Sequence, residues 1–297
     1  MRALVARTGN NTPVLQETSP EPLAPDEIRV AVRAAAVNPA DGWVASGAAR
    51  SLLDLPDVVG LGYDLVGTVT DVGAAVTDLT VGDVVAALHE DRTAPVRAHA
   101  DVATVPAAAA AVVPAGLDPA GAASVPLNAL TAAQGLDLLG PAEGRTLLVT
   151  GAAGGVGGYA VALAARSGWR VTGLARAADE DFLRRAGAAD TVTDVPGPDF
   201  DAVFDAAALQ EGAIVAARDG GAFVGVLPPA PVAPERGISV AAVNVRADGE
   251  RLAELLGLSR DGVLEVRVAG EVSLDQAAAA YDRRTAGGQR GRWLLVP

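Results

Sequence analysis

The sequence predicts an α/β protein in two parts, a β-rich part of barrel or sandwich type and a doubly wound parallel sheet. Three observations carry this. From Met1 to Ala115, short runs rich in Val and Thr are cut by Gly, Pro, Asp and Asn, the pattern of many short strands joined by turns. From Leu117 onward strands and helical stretches alternate, the signature of parallel crossover units. At the first alternation the stretch "RTLLVTGAAGGVGGYAVALAARSGWRVTGLAR" (Arg145 to Arg176) breaks into five glycines within eight residues before resuming as helix.

The early strands are read at "IRVAVRAAAVN" (Ile28 to Asn38), "LVGTVTDVG" (Leu65 to Gly73) and "VGDVVAAL" (Val81 to Leu88). In "DPAGAASVPLNALTAAQGLDLLG", Asp118 followed by Pro119 opens a helix, as an N-cap with proline at the first helical position. Then come strand "TLLVTG", helix "GYAVALAARSG", strand "RVTGLAR", helix "DEDFLRRAG", strands "DTVTD" and "DAVFDAA", helix "LQEGAIVAARDG", and strands "AFVGVLP" and "ISVAAVNV". Only "VPGPD" separates "DTVTD" from "FDAVFD", too little for a crossover helix. Two helices, "GERLAELLGL" and "LDQAAAAYDRR", and a last strand "GRWLLVP" carry no glycine fingerprint and are read as a return to the first part.

Composition narrows the function. With 297 residues, 50% of them hydrophobic, the chain can build two cores. A net charge of −13 repels nucleic acid and anionic membranes, so the expected partner is a small molecule. No cysteine is present, which removes disulfides, thiolate nucleophiles and cysteine metal sites; no lysine is present either, so all 23 basic residues are arginine. The most apolar stretch, Val102 to Leu117, is cut by Pro106 and Pro114 and cannot span a bilayer. A cytoplasmic protein is expected.

The glycine turn has a chemical reading. A helix that opens after a parallel strand presents unpaired amides and the positive end of its dipole, and together these attract phosphate. "AAGGVG" (Ala152 to Gly157) is an alanine-initiated variant of GxGxxG. Gly154, Gly155 and Gly157 let backbone approach a pyrophosphate, and Ala152 and Ala153 keep the turn small. The next strand, "RVTGLA", ends at Arg176 with no acid where a ribose-binding carboxylate would stand. Arg176 is therefore read as the ligand of a 2′-phosphate, and the cofactor as NADPH.

"TGAAGGVG" also satisfies the TGxxxGxG pattern of short-chain dehydrogenases, but the lysine of their Tyr-xxx-Lys pair does not exist here. The ordered set "AAVNPAD", "GLGYDLVGTVTDVGAAVTDLTVGDVV", "SVPLNALTAAQGL", "LLVTGAAGGVG", "FDAVFDAA", "DGGAFVGV" and "RGRWLLV" instead resembles the medium-chain dehydrogenase/reductase superfamily, in its zinc-free quinone oxidoreductase branch. The resemblance implies a GroES-like domain from residues 1–116 and 257–297, a Rossmann domain over residues 117–256, and a homodimer through the sheet edge in Ala222 to Val245. It places Asn38, Asp41, Tyr63 and Asn128 around nicotinamide and substrate, and Thr131, Gly151, Ala152, Ala153, Gly154, Gly155, Val156, Gly157 and Arg176 on the cofactor. Asn38 and Asn128 are expected to donate amide hydrogen bonds and Tyr63 a bond or a proton. Each has a plain alternative: a turn before Pro39 for Asn38, a helix cap for Asp41, core filling for Tyr63.

Tyr63 stands where zinc-dependent relatives keep a ligand histidine. The two histidines, His89 and His99, lack metal-ligand spacing and are read as surface or structural. The chain departs from the branch at Ala45 and Ala49, where relatives carry an arginine and a tyrosine donor. The expected activity is NADPH-dependent hydride transfer to a quinone or an α,β-unsaturated carbonyl. The alternatives are an enoyl or ketone reductase dedicated to secondary metabolism and an NADPH-binding sensor of low turnover.

Overall fold

The computed structural model describes residues 1–286 and 290–297. The chain divides into two compact units. One comprises Met1–Leu127, Arg246–Arg260 and Val266–Pro297; the other comprises Asn128–Val245 and Asp261–Glu265. Against the boundaries read from sequence, the first crossing moves from 116 to 127 and the return moves forward from 257 to 246.

In the first unit the strands are β1 (Arg2–Arg7), β2 (Val14–Glu17), β3 (Glu27–Val37), then helix α1 (Pro39–Ala45), β4 (Val58–Gly60), β5 (Asp64–Val72), β6 (Val84–Leu88), β7 (Val102–Pro106) and β8 (Ala110–Val112), succeeded by helix α2 (Pro119–Ala122) and the start of α3 (Pro126–Leu139). Residues 27–32 of β3 alternate half-buried and buried, as a strand with one face on a core must, and residues 34–37 are buried throughout. Antiparallel pairing joins β3 to β5 and to β7, β5 to β6, and β6 to β8. β2, β1 and β4 make a separate three-stranded sheet. Ile28, Val30, Leu65, Val69, Val85 and Val105 form one core. Asp118 caps α2 as read from sequence, accepting from the Gly121 amide at 2.9 Å. The single long helix expected after it is divided, with Ala123, Ser124 and Val125 lying between α2 and α3.

The second unit holds β9 (Thr146–Thr150), α4 (Gly155–Arg166), β10 (Arg170–Leu174), α5 (Glu180–Arg185), β11 (Asp190–Val192), β12 (Phe200–Asp205), α6 (Glu211–Ile214), β13 (Ala217–Gly225) and β14 (Ser239–Ala242). Its six strands run parallel in the order β11-β10-β9-β12-β13-β14, doubly wound with the reversal between β9 and β12. β9 and β12 are buried for most of their length, as central parallel strands covered on both faces should be. The helix expected over "LQEGAIVAARDG" shrinks to Glu211–Ile214. Ala217 already pairs with Phe200, and Gly220, in the left-handed region at φ +67°, is unsuited to helix and falls where the β12–β13 register shifts. Residues 193–199 carry no helix, as the short link demanded. Val195 from this link packs with Val192 and Phe200 against the cluster of Leu148, Leu174 and Val203, covering sheet that a crossover helix would otherwise cover.

The chain then returns to the first unit as α7 (Gly249–Arg260), β15 (Val268–Ser273), α8 (Ala277–Ala286) and β16 (Arg292–Val296). β16 pairs antiparallel with β3, Leu294 facing Ala36, so the last strand of the chain joins the sheet of β3 and β5. Among the described residues no helix is long and apolar enough to cross a membrane.

Candidate functional site

The glycine turn sits at the carboxyl end of β9, next to the point where strand order reverses. Gly151 comes directly after β9 with φ +54°, a conformation that favours glycine. The turn is tied down by the Gly154 amide on the Gly151 carbonyl at 2.7 Å and by the Ala152 amide on the Leu174 carbonyl at 3.1 Å. Gly154 caps α4; it is exposed, and Gly155 and Val156 are half-buried. By helix geometry the amides of Gly155, Val156 and Gly157 have no carbonyl one turn earlier, so this end offers donors to an anion. Gly157 is buried, and a Cβ there would lie 2.2 Å from the Gly151 carbonyl oxygen. Ala152 and Ala153 are both buried beneath the turn, and Ala152 packs beside Gly173.

A buried pair fixes this corner. Asp205, at the end of β12, accepts from the Thr150 hydroxyl at 2.5 Å and from the Gln210 amide at 2.8 Å, and Thr150 Oγ1 accepts from the Ala207 amide at 3.0 Å. Asp205→Ala strands the Thr150 hydroxyl and the Gln210 amide. It should lower stability by about 2–3 kcal/mol, measured by denaturant unfolding, and weaken dinucleotide binding along with it.

At the carboxyl ends of β10 and β11 a groove of about 600 Å³ is lined by Leu174, Arg176, Thr193, Asp194, Val195 and Leu209, among others. Arg176 is more than half exposed and leans on Asp179, Nε to Oδ2 3.7 Å, which leaves the guanidinium mostly in water. Sequence reading did not foresee Thr193, Asp194 and Val195 in this wall. The only signal was the missing crossover helix, which lets the link run along the groove.

In the first unit, Asn38, Asp41 and Asp64 form one buried network. Asp41 Oδ2 accepts from the Asn38 amide at 2.8 Å and Oδ1 from the Gly62 amide at 3.0 Å. Asp41 thus serves the plainer role of a cap for α1, joining its start to the segment before β5. Asn38 Nδ2 donates to Asp64 Oδ2 at 2.7 Å and approaches the Ala36 carbonyl at 3.5 Å. The strong bond from its amide goes to Asp64, so Asn38 ties the start of α1 to β5. Asp64 Oδ1 accepts from the Leu127 amide at 2.6 Å at the start of α3. Burial raises the Asp64 carboxyl to about 7 against these two hydrogen bonds.

Tyr63 is 6% exposed and lies under the guanidinium of Arg97, 4.0 Å from Cζ to ring centroid. His89 and His99 are both buried, so neither is a surface residue. His99 bonds the Tyr281 hydroxyl at 2.9 Å and the Ala36 carbonyl at 3.0 Å, and burial lowers its pKa. Ala45 and Ala49 are buried in the cluster of Val44, Val59, Leu61 and Leu274. Asn128 and Thr131 belong to the second unit, buried and three apart on α3.

The family described as alcohol dehydrogenase GroES-like domain matches residues 24–117, and that described as zinc-binding dehydrogenase matches residues 176–295. The chain is 35% identical over 274 residues to the pikromycin polyketide synthase component PikAII of Streptomyces venezuelae, covering 83% of this chain and 7% of that protein. It is 35% identical over 186 residues to the chloroplastic quinone-oxidoreductase homolog of Spinacia oleracea, covering 61% of this chain and 55% of the relative. The chain thus spans only part of these two relatives. An alcohol dehydrogenase superfamily protein from Novosphingobium aromaticivorans superposes with a TM-score of 0.87 at 28% identity, over 100% of this chain and 99% of that one.

The residues present do not fit the zinc of the second family. The sequence has no cysteine, both ring nitrogens of His99 are engaged, and among the described residues no three His, Asp or Glu gather to hold a metal ion.

Proposed function

The chain belongs to the medium-chain dehydrogenase/reductase superfamily, in its quinone oxidoreductase branch, and from that premise we propose that it is an NADPH-dependent reductase of quinones or α,β-unsaturated carbonyls. The observation that carries the cofactor is the turn after Thr150, where Gly157 has no room for a side chain and exposed backbone opens α4. NADPH, when bound, supplies the hydride. The amides of Gly155, Val156 and Gly157 hold its pyrophosphate, and Gly151 and Gly154 shape the bend. Arg176, at the groove beyond β10, binds the 2′-phosphate. Thr131 serves the cofactor from α3, while Ala152 and Ala153 support the turn from beneath.

On the acceptor, Tyr63 donates a hydrogen bond to the oxygen that gains charge during reduction, and Asn128 serves the nicotinamide from α3. Asn38 and Asp41 act one step back, by holding the start of α1. The acceptor is a small molecule, and the enzyme works in the cytoplasm. It pairs as a homodimer through β14, the outermost strand of its sheet, whose Val240, Ala241 and Ala242 are half-buried.

Arg176→Ala tests the cofactor. Its Kd for NADPH should rise about tenfold or more, as loss of a charge-assisted bond to phosphate implies, with NADH affinity unchanged within about twofold. Fluorescence titration reads both; wild-type protein that prefers NADH overturns the assignment. The similarity to the pikromycin synthase component across 83% of this chain favours a second reading, an enoyl or ketone reductase of secondary metabolism. Oxidation of NADPH against quinones, simple enones and enoyl thioesters separates the two. Tight NADPH binding with no oxidation in any arm marks a sensor instead.

A further inference from the structure

Arg97 is 1% exposed, one of the largest fully buried side chains in the protein. Arginine does not shed its charge by deprotonation, and a buried cation without a counter-ion is strongly unfavourable. Among the described residues no carboxylate pairs with it: Nη2 donates to the His89 carbonyl at 2.8 Å, Nε is buried without a partner, and the Cζ lies over Tyr63. The His89 amide donates to the Tyr63 carbonyl at 2.7 Å, so the three residues close a ring of contacts. Gly60 makes room for the arginine stem, since a Cβ there would stand 3.0 Å from Arg97 Cγ.

The neighbours do not neutralise this charge. His89 is held neutral, its pKa pushed down to about 3 first by burial and then by Arg97. His99 is lowered by burial and by Arg97, with Asp41 acting in the opposite sense. Asp41 itself is committed to the Asn38 and Gly62 amides. A position that needed only volume would carry leucine or methionine; here the fold tolerates an uncompensated guanidinium against the ring of Tyr63.

We propose that Tyr63 and Arg97 form an oxyanion site, in which the Tyr63 hydroxyl donates to an enolate or phenolate oxygen and the guanidinium on the ring face strengthens that donation. The ring's electron density is drawn toward the cation, which polarises the O–H bond. Tyr63 touches the oxygen; Arg97 acts through Tyr63 and is a positioning residue. The pair takes over the role vacated at Ala49, a small side chain in an apolar cluster. The inference rests on the reductase reading for its place in a reaction, but the site itself is open to a binding test.

The probe is 4-nitrophenolate, followed by its visible absorbance at mildly alkaline pH, with neutral 4-nitroanisole as control. Wild type should bind the phenolate roughly tenfold more tightly than Arg97→Met or Tyr63→Phe, a difference that a single strong hydrogen bond carries. Arg97→Lys should restore most of the affinity, Arg97→Met with Tyr63→Phe should be no weaker than either alone, and the anisole should bind all forms alike. Replacing a buried unpaired cation by methionine should leave the melting temperature at or above that of wild type. Phenolate affinity within twofold in folded Arg97→Met overturns the proposal; if that variant does not fold, equal affinity in wild type and Tyr63→Phe does so. In turnover, Arg97→Met should lower kcat about tenfold without changing the KM for NADPH. Arg97-dependent phenolate binding in a wild type that reduces no acceptor sinks the reductase reading and leaves the oxyanion site standing; reduction of a quinone or enone with Arg97-independent binding sinks the site alone.

Discussion

Gly157→Ala should abolish dinucleotide binding. The added methyl would be placed 2.2 Å from the Gly151 carbonyl oxygen and 2.7 Å from its carbon, with the Ala152 Cα at 2.9 Å. None of these is a side chain that can swing away; all belong to the turn itself. Either α4 moves off β9 or the bend at Gly151 is rebuilt, and both displace the amides of the first helical turn. Overpacking of this kind costs about 1–3 kcal/mol, with the upper end expected where backbone must move. Displaced amides no longer converge on a phosphate, so affinity for either reduced dinucleotide should fall by roughly a hundredfold or more. Gly154→Ala is the internal comparison. Gly154 is exposed, and a Cβ there would meet only the Gly151 oxygen, at 3.0 Å. Calorimetric titration of the two variants should therefore separate clearly, with Gly154→Ala retaining measurable binding. A Gly157→Ala protein that binds NADPH within about threefold of wild type would remove the turn from the account of function.

The turn was legible in the sequence because its requirement is local. Backbone can approach a phosphate, and a helix can sit hard against a strand, only where side chains are missing, and that leaves a mark within a few adjacent letters. The parallel strands were legible for a similar reason, since burial on both faces writes continuous apolar runs such as "TLLVT" and "DAVFD". Even the missing crossover helix could be read, because residues 193–199 are too few to form one. Other features depend on partners far along the chain. Nothing within "RWLLV" states that Leu294 faces Ala36, and the return of the chain to the first unit at Arg246 is fixed by packing against residues more than a hundred positions earlier. The helix over Glu211–Ile214 is shorter than the sequence suggests, because the alanines after it suit helix while pairing with β12 claims Ala217 for a strand. Arg97 was invisible in the same way. Between Val96 and Ala98 a lone arginine looks like any surface cation, and its burial is decided by Gly60, Tyr63 and His89. Asn38 and Asp41 form the intermediate case: the sequence allows a turn for Asn38, a helix cap for Asp41 or a site role for either, and the hydrogen bonds that tie both to the start of α1 come from residues brought together by the fold.

Below neutral pH, stability should show the effects of two buried groups of opposite sign. The His89 pKa is pushed from 6.5 to about 3 in the folded protein, by burial first and Arg97 second. The unfolded chain therefore takes up the proton first, and the stability due to neutral His89 is complete above pH 6.5 and lost as pH falls toward 3. At about 1.4 kcal/mol per unit, the loss is roughly 2 kcal/mol by pH 5 and about 4–5 kcal/mol by pH 3. Asp64 behaves in the reverse sense. Its pKa rises from 3.8 to about 7 on folding, burial outweighing the hydrogen bonds from Leu127 and Asn38. The folded protein holds that proton more tightly, so the contribution is present below pH 3.8 and is lost as pH rises through 7, by about 4 kcal/mol. Between pH 4 and 6.5 the two slopes oppose each other and the wild-type profile conceals both. Single variants uncover them. The difference in unfolding free energy between wild type and His89→Leu should grow with pH from 3 to 6.5. The side chain of His89 loses little else on replacement, because its Nδ1 is already buried without a partner. The difference between wild type and Asp64→Asn should shrink over the window from pH 4 to 7. Asparagine turns one acceptor into a donor facing Asn38 Nδ2 or the Leu127 amide, which adds a constant penalty but no slope. Urea unfolding at half-unit steps of pH reads both differences, and a His89→Leu curve parallel to wild type would show that the imidazole is not held neutral by its burial.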